Sequence, residues 1–175
     1  EEGTVMVINV NPGISTTDQR QQGFEEQIAT YPDIEVVATQ AADFDRSEAL
    51  TVMTDVLQAN PDIDGVYAAN DEMAMGVLSA LKARGLQGDV ALVGNDGIRD
   101  AFTAISEGDM YATNAESPYA LGQAIVDAAA DVIEGKDVED DVVLQGELIT
   151  AKEVPAYCAH LVDIGDTETC PNLAE

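Results

Sequence analysis

Strand-like and helix-like segments alternate along this chain, and that alternation limits the possible folds more than any other feature. Thr4 to Val10 is a β-branched, apolar run closed by the turn cluster Asn11-Pro12-Gly13. Thr16 to Tyr31 has helical spacing, with Phe24 and Ile28 one turn apart on an inner face. Ile34 to Thr39 reads as a strand, and Ser47 to Gln58 as a helix with Leu50, Met53 and Leu57 at helical spacing, broken by Asn60-Pro61-Asp62. The third unit is the strand Gly65 to Ala69 and a helix from Asp71 to Arg84 that buries Ala74, Val77, Leu78 and Leu81 and stops at Gly85. The fourth is the strand Val90 to Val93 and a helix from Ile98 to Ser106 that stops at Gly108. After a short strand from Met110 to Asn114, Ser117-Pro118 opens a helix carrying Leu121, Ile125, Ala128 and Val132. Pro fits a first helical turn because the N–H it lacks would have no partner there. Val142 to Leu144 and Leu148 to Thr150 are short strand-like pieces ahead of a polar tail. Repeated strand and helix units of this size predict an α/β fold, a doubly wound parallel sheet with helices on both faces.

Open sheets of this kind bind ligands in the crevice outside the carboxyl ends of their strands. The Gly65 strand runs into Asn70-Asp71 and a helix, and the Val90 strand into Gly94-Asn95-Asp96-Gly97 and another helix. Asn70 and Asp96 are therefore the first candidates for ligand contact. Each also suits a plain helix-capping role. Asp71 is placed to take the cap of its own helix, which would leave Asn70 free to face the crevice.

A content of 46% apolar and 23% charged residues is ordinary for a globular domain, but the balance of charge is not. Against 34 acidic residues there are 7 basic ones, a formal net charge of -27. A nucleic-acid backbone would be repelled by that field, and an anionic membrane is an equally poor partner. Apart from a short cluster at Asp137 to Asp141, the acidic residues are spread along the chain, as on a solvated surface. Such a surface suits work in high salt, where self-repulsion is screened; an acidic soluble protein of no special habitat is the alternative. No apolar run is long enough to span a membrane, so direct insertion is not expected. The chain opens on Glu1-Glu2-Gly3 with no leader-like segment, and removal of a signal peptide by processing, or truncation, is the expectation.

Motifs for common chemistries are missing. The first strand ends in Asn11-Pro12-Gly13-Ile14-Ser15, with neither a dinucleotide fingerprint nor a phosphate-cradling loop. The single histidine, His160, lies in the tail, away from any catalytic arrangement the sheet could assemble. No catalytic residue and no cofactor is expected, and binding becomes the default. Cys158 and Cys170 stand close together in the tail and read as a disulfide, which implies an oxidising compartment; two unpaired thiols are the alternative. Cys158-Ala159-His160 with Cys170 offers three ligands at irregular spacing, a weak metal pattern, and no metal is expected.

The stretches Gly65-Val66-Tyr67-Ala68-Ala69-Asn70-Asp71-Glu72-Met73-Ala74-Met75-Gly76 and Val93-Gly94-Asn95-Asp96-Gly97 closely resemble the second half of ribose-type periplasmic sugar-binding proteins, the type I solute-binding proteins of ABC importers. The resemblance runs from about Thr4 to Thr150. It includes Pro12-Gly13, the helix start Arg20-Gln21-Gln22-Gly23-Phe24 and Ala42-Asp43-Phe44-Asp45-Arg46, in the same order and spacing. It implies a flavodoxin-like lobe of a two-lobed protein that holds a sugar between lobes joined by three crossing segments. On that pattern residues 1–115 form the second, C-terminal lobe. Residues 116–150 carry hinge crossings together with a helix and a strand that belong to a missing first lobe. Residues 151–175 are the tail.

The resemblance also assigns ligand contacts. Arg20 falls where an arginine reaches sugar oxygens, which its planar fork of donors suits; a surface arginine paired with a carboxylate is the alternative. Phe44 falls where a ring lies on the apolar face of the sugar; a core phenylalanine is the alternative. Asn70 can donate and accept at once, and Asp96 accepts from two hydroxyls through charge-assisted bonds. Glu116 stands where ribose-type proteins commonly have glutamine. A carboxylate only accepts, so with Arg20 as the lone cation the half-site is net negative. That suits a ligand rich in hydroxyl donors or carrying an amine, and argues against ribose itself. A first-lobe arginine paired with Glu116 would serve instead.

Three function classes follow. The leading one is the substrate-binding component of an ABC-type sugar importer, extracytoplasmic in the periplasm or as a cell-surface lipoprotein, whose partners are a small-molecule sugar and a membrane permease. The alternative is the sugar-effector lobe of a LacI-type transcription repressor, which would need a basic helix-turn-helix upstream. A small flavodoxin-like or phosphatase-like enzyme would need a phosphate loop, or a nucleophile beside a base.

Overall fold

In the computed structural model, which describes residues 2–140 and 142–170, strands and helices alternate throughout. In chain order they are β1 (Gly3–Asn9), α1 (Ser15–Ile28), β2 (Ile34–Ala41), α2 (Arg46–Ala59), β3 (Gly65–Ala68), α3 (Asp71–Arg84), β4 (Ala91–Asp96), α4 (Arg99–Glu107), β5 (Ala112–Ala115), α5 (Pro118–Ile133), β6 (Glu147–Thr150) and α6 (Val154–Asp163). The six strands form one sheet in the order β2-β1-β3-β4-β5-β6. β1 through β5 run parallel, while β6 runs antiparallel beside β5, an edge the expected all-parallel sheet did not include. The chain winds outward from β1 to β2 and then the opposite way from β3 to β5. The strand order therefore reverses between β1 and β3, where open α/β sheets place ligands.

Side chains alternate across the sheet. Met6 and Ile8 of β1, Val66 and Ala68 of β3 and Leu92 of β4 join α2, α3 and α4 in the main core. Tyr67, between Val66 and Ala68, points to the other face and stacks on Phe24 of α1, ring centroids 5.2 Å apart and planes 5° off parallel. The ring pair, half-buried, is how α1 meets the sheet, so Phe24 faces inward without being sealed from water. Most of α3 is buried, and it stops at Gly85 in the left-handed conformation. α2 buries Ala49, Met53 and Leu57, while Leu50, expected beside them, is exposed.

Gly76 explains how α2 and α3 approach so closely. A Cβ there would lie 2.2 Å from the Arg46 carbonyl oxygen and 2.8 Å from Ala49 Cβ. Arg46, at the same crossing, joins Glu72 of α3 and Asp100 of α4, each at 2.8 Å.

Several boundaries differ from expectation. α1 stops at Ile28, and a turn carries the chain through Tyr31. β4 continues through Gly94-Asn95-Asp96 because β5 pairs with it to that point, Asp96 opposite Ala115. Residues 142–144 are not a strand. Glu147–Thr150, one residue longer than the strand expected from Leu148, pairs with β5, and Ile149 is buried opposite Thr113. The tail is not a polar loop: Val154, Tyr157, Cys158 and Leu161 have helical spacing, and α6 packs them toward α4, where Tyr157 meets Phe102 at 5.4 Å between ring centroids. Cys158 and Cys170 are bonded, both buried, and fasten the chain at Cys170 to that helix. α5 buries none of its residues, although Leu121, Ile125, Val132 and Ile133 are apolar.

Gly76→Ala is expected to destabilise the fold by about 2 kcal/mol or more, because backbone must move to admit the methyl. Gly23→Ala, in α1 with open space around it, is expected to stabilise by roughly 0.5–1 kcal/mol through helix propensity. Chemical denaturation of both variants reads the contrast.

Candidate functional site

The carboxyl ends of β1, β3, β4 and β5 carry Asn9, Asn70, Asn95 with Asp96, and Asn114 with Glu116. One residue holds several of these ends in place. Asp71, the first residue of α3, is fully buried. Its Oδ2 accepts from the Gly97 N–H at 2.8 Å and the Ile98 N–H at 3.0 Å, and the Thr113 hydroxyl donates to the same carboxylate at 2.9 Å. The β3, β4 and β5 ends are thereby tied to a single side chain. Gly94 makes the room, since a Cβ there would sit 2.1 Å from Asp71 Oδ1.

The capping roles are the reverse of those expected. Asn70 caps α3, its Oδ1 accepting from the Met73 N–H at 2.9 Å, and Asp71 reaches across to β4 and β5 instead. The physical reason is reach: the carboxylate of a residue already inside the helix points away from the N-terminal amides, toward the neighbouring strand ends. Asn70 is 6% exposed, and its Nδ2 donates to no protein atom among the described residues. The cap therefore leaves the amide nitrogen available.

Asp96 has φ of 122°, a backbone region that L side chains seldom occupy, at a cost of order 1–3 kcal/mol. The next two amides, Gly97 and Ile98, are the ones anchored on Asp71, so the strained turn is fixed from behind. The turn brings the Asp96 carboxylate beside Asn95, whose Nδ2 donates to Asp96 Oδ1 at 2.9 Å and lies 3.4 Å from Glu116 Oε1. Asn114 Nδ2 donates to Asn95 Oδ1 at 2.8 Å. From α1, Arg20 donates to the Ala69 carbonyl at 3.0 Å, to Glu116 Oε1 at 2.9 Å and, more weakly, to Asp96 Oδ1 at 3.5 Å. Arg20, Asn95, Asp96 and Glu116 thus form a closed hydrogen-bonded ring.

Phe44 follows β2 at the same edge with φ of 64° and a side chain outside the core, 39% exposed. Asp43 before it accepts from the Asn11 N–H at 2.8 Å and the Asn11 amide at 2.6 Å, which fixes the Phe44 loop to the loop after β1. Sequence reasoning singled out Arg20, Phe44, Asn70, Asp96 and Glu116. It passed over Asn95 and Asn114, the structural role of Asp71, and Asn9, which gives its Nδ2 to Gln21 while its buried Oδ1 has no partner among the described residues. The recurrence of asparagine at successive strand ends was the available signal. Asp96 and Glu116 also border a cleft of about 530 Å³ shared with Tyr119, Tyr157 and Asp166. Such a volume suits a small ligand. No three potential metal ligands converge among the described residues, and Cys158 and Cys170 are engaged with each other.

Burial pushes the Asp71 carboxyl above its ordinary range, and the Ile98 and Gly97 amides with the Thr113 hydroxyl pull it only part of the way back. Burial also raises Asp96, opposed by Asn95 and Arg20 and assisted by Glu116. A carboxyl whose folded-state pKa is raised binds its proton more readily in the native state. Its contribution to stability is present below the unfolded pKa and is lost as pH rises through the folded one. Asp71→Asn, an isostere that cannot ionise, is expected to flatten that decline in melting temperature as pH rises from about 3.8. Asp71→Ala leaves two amides and a hydroxyl without their acceptor and is expected to cost at least about 3 kcal/mol, a difference visible in denaturant titrations of the two variants.

The description "periplasmic binding protein domain" fits residues 1–137 of the chain. The ribose import binding protein of Bacillus subtilis is 41% identical over 141 residues, covering 81% of this chain and 45% of that protein. A xylitol-binding protein of Mycolicibacterium smegmatis is 35% identical over 165 residues, covering 92% of this chain and 46% of the relative. Among solved structures, a solute-binding protein from Actinobacillus succinogenes with bound D-allose superposes with a TM-score of 0.82 at 32% identity, covering 87% of this chain and 54% of that one. One from Bacillus halodurans with bound myo-inositol gives 0.80 at 34% identity, covering 89% and 54%. The chain spans about half the length of the curated relatives it matches. By the match over most of its length, and by an architecture shared with these structures, the chain belongs to the periplasmic binding protein domain family.

Proposed function

We propose that this chain is the second lobe, with crossing segments, of the solute-binding component of an ABC-type sugar importer. It holds a monosaccharide or related polyol in a cleft between two lobes and carries out no reaction on it. The observation that supports this most is the polar ring of Arg20, Asn95, Asp96 and Glu116 at the carboxyl edge of the sheet, where α1 meets the ends of β4 and β5. Similar proteins are described as binding ribose, xylitol, allose and myo-inositol, all of them polyhydroxylated and compact.

Each side chain has a role in this reading. Asp96 and Glu116 accept from hydroxyls, the remaining donors of Arg20 and the Asn70 amide give to sugar oxygens, and the exposed Phe44 ring covers the sugar's C–H face. α5 and residues 142–144 are parts of the first lobe, which is consistent with an apolar helix that buries nothing in this sheet. Ligand contacts made to both lobes shift an open and closed equilibrium toward the closed form, which the membrane permease recognises. The Cys158–Cys170 disulfide suits an extracytoplasmic location.

Thermal denaturation of the complete two-lobed protein across D-ribose, D-allose, xylitol and myo-inositol tests the reading. A ligand that binds only the native state at a hundred times its Kd adds about 2.7 kcal/mol of stability. At least one sugar is expected to raise the melting temperature, and Asp96→Ala to weaken its binding by about 2–5 kcal/mol. No shift with any sugar, or a shift untouched by Asp96→Ala, overturns the proposal.

A further inference from the structure

Arg20 and Asn95 approach the two site carboxylates from different elements yet donate to the same pair of oxygens, Asp96 Oδ1 and Glu116 Oε1. The carboxylates are held side by side as a result. Their second oxygens, Asp96 Oδ2 and Glu116 Oε2, receive no donor among the described residues. Both side chains remain partly open, 39% and 55% exposed against 22% for Arg20.

One guanidinium faces two carboxylates, so the ring carries a net negative charge. Arg99 borders the same cleft, but Asp166 lines it too, its carboxyl lowered by Thr169 and by Arg99, and Arg46 is committed to Glu72 and Asp100, so the balance stays negative. Burial raises the Asp96 carboxyl, Asn95 and Arg20 oppose it, and the like charges of Glu116 and Glu72 add a smaller push upward. Hydroxyl groups of a neutral sugar can satisfy the two free oxygens as acceptors, but they cannot cancel the charge. Closure of a second lobe removes water from the ring, and where that lobe brings no arginine to Glu116 the charge is left uncompensated, an unfavourable outcome in a low-dielectric site. An ammonium group supplies three donors and the missing positive charge together.

We propose that Asp96 Oδ2 and Glu116 Oε2 receive the ammonium of an amine-bearing ligand, so that this site takes an amino sugar or amino polyol in preference to its neutral parent. The inference rests on the sugar-binding reading above and narrows its ligand class. Asn95 is then a positioning residue, its Nδ2 joining Asp96 Oδ1 to Glu116 Oε1.

Calorimetric titration of the complete protein at low ionic strength and pH 7 tests this. D-ribose, D-allose and myo-inositol are each paired with amino-deoxy derivatives that carry the amine at successive positions. At least one derivative is expected to bind about tenfold or more tightly than its parent. That ratio is expected to shrink in high salt and in Glu116→Gln, since both weaken the charge attraction. If the parents bind and every amino derivative binds no better, or if Glu116→Gln leaves the ratio unchanged, the amine inference falls while sugar binding stands. If neither parents nor derivatives bind, the sugar-binding reading falls and the inference falls with it.

Discussion

The buried carboxylate of Asp71 fixes the loops around which the ligand edge is built. Two backbone amides after Asp96 and the hydroxyl of Thr113 all donate to it, so one side chain sets the relative positions of β3, β4 and β5 at their carboxyl ends. Asp96 can hold its uncommon backbone conformation because the two residues that follow are anchored in this way. Gly94 is part of the same device, since any side chain there would displace the carboxylate. Burying a charge without partners is costly, and three donors within hydrogen-bonding distance are what make the position tenable.

From that anchor the site follows outward. Asp96 turns beside Asn95, Asn95 links it to Glu116 and Asn114, and Arg20 completes the ring from α1. The ring connects the end of β4 to Glu116, which stands between β5 and α5, so a central strand and the connection into α5 share one hydrogen-bonded cluster. A ligand seated on the ring would touch both. That is a physical route by which binding biases the position of α5 relative to the sheet.

The alternation of strands and helices was readable in the sequence because each buried strand and each helix face obeys its own period. The helix Asp71–Arg84 emerged with the expected ends, since Gly85 stops it in the left-handed conformation. β6 and α6 were less readable. A four-residue edge strand leaves only Ile149 buried, and the helical spacing of Val154, Tyr157, Cys158 and Leu161 extends over a helix of only 10 residues. At the site, the strand-end rule led to Asn70 and Asp96, and the family resemblance to Arg20, Phe44 and Glu116. Asp71 and Asn95 stayed hidden because their roles are long-range. Nothing local distinguishes an aspartate that caps its own helix from one that reaches residues 97, 98 and 113. The asparagines at strand ends look like ordinary turn residues until the register of β4 on β5 sets Asn95 opposite Asn114.

The central claim is that this strand-end ring is where a polyhydroxylated ligand binds. A crystal structure of the complete protein with its tightest-binding sugar or amino sugar tests it most directly. The account predicts a ligand hydroxyl or amine within about 3 Å of Asp96 and of Glu116, with Arg20 or Asn70 donating to a ligand oxygen. A ligand bound away from the carboxyl ends of β3, β4 and β5, with the ring of Arg20, Asn95, Asp96 and Glu116 untouched, would contradict it.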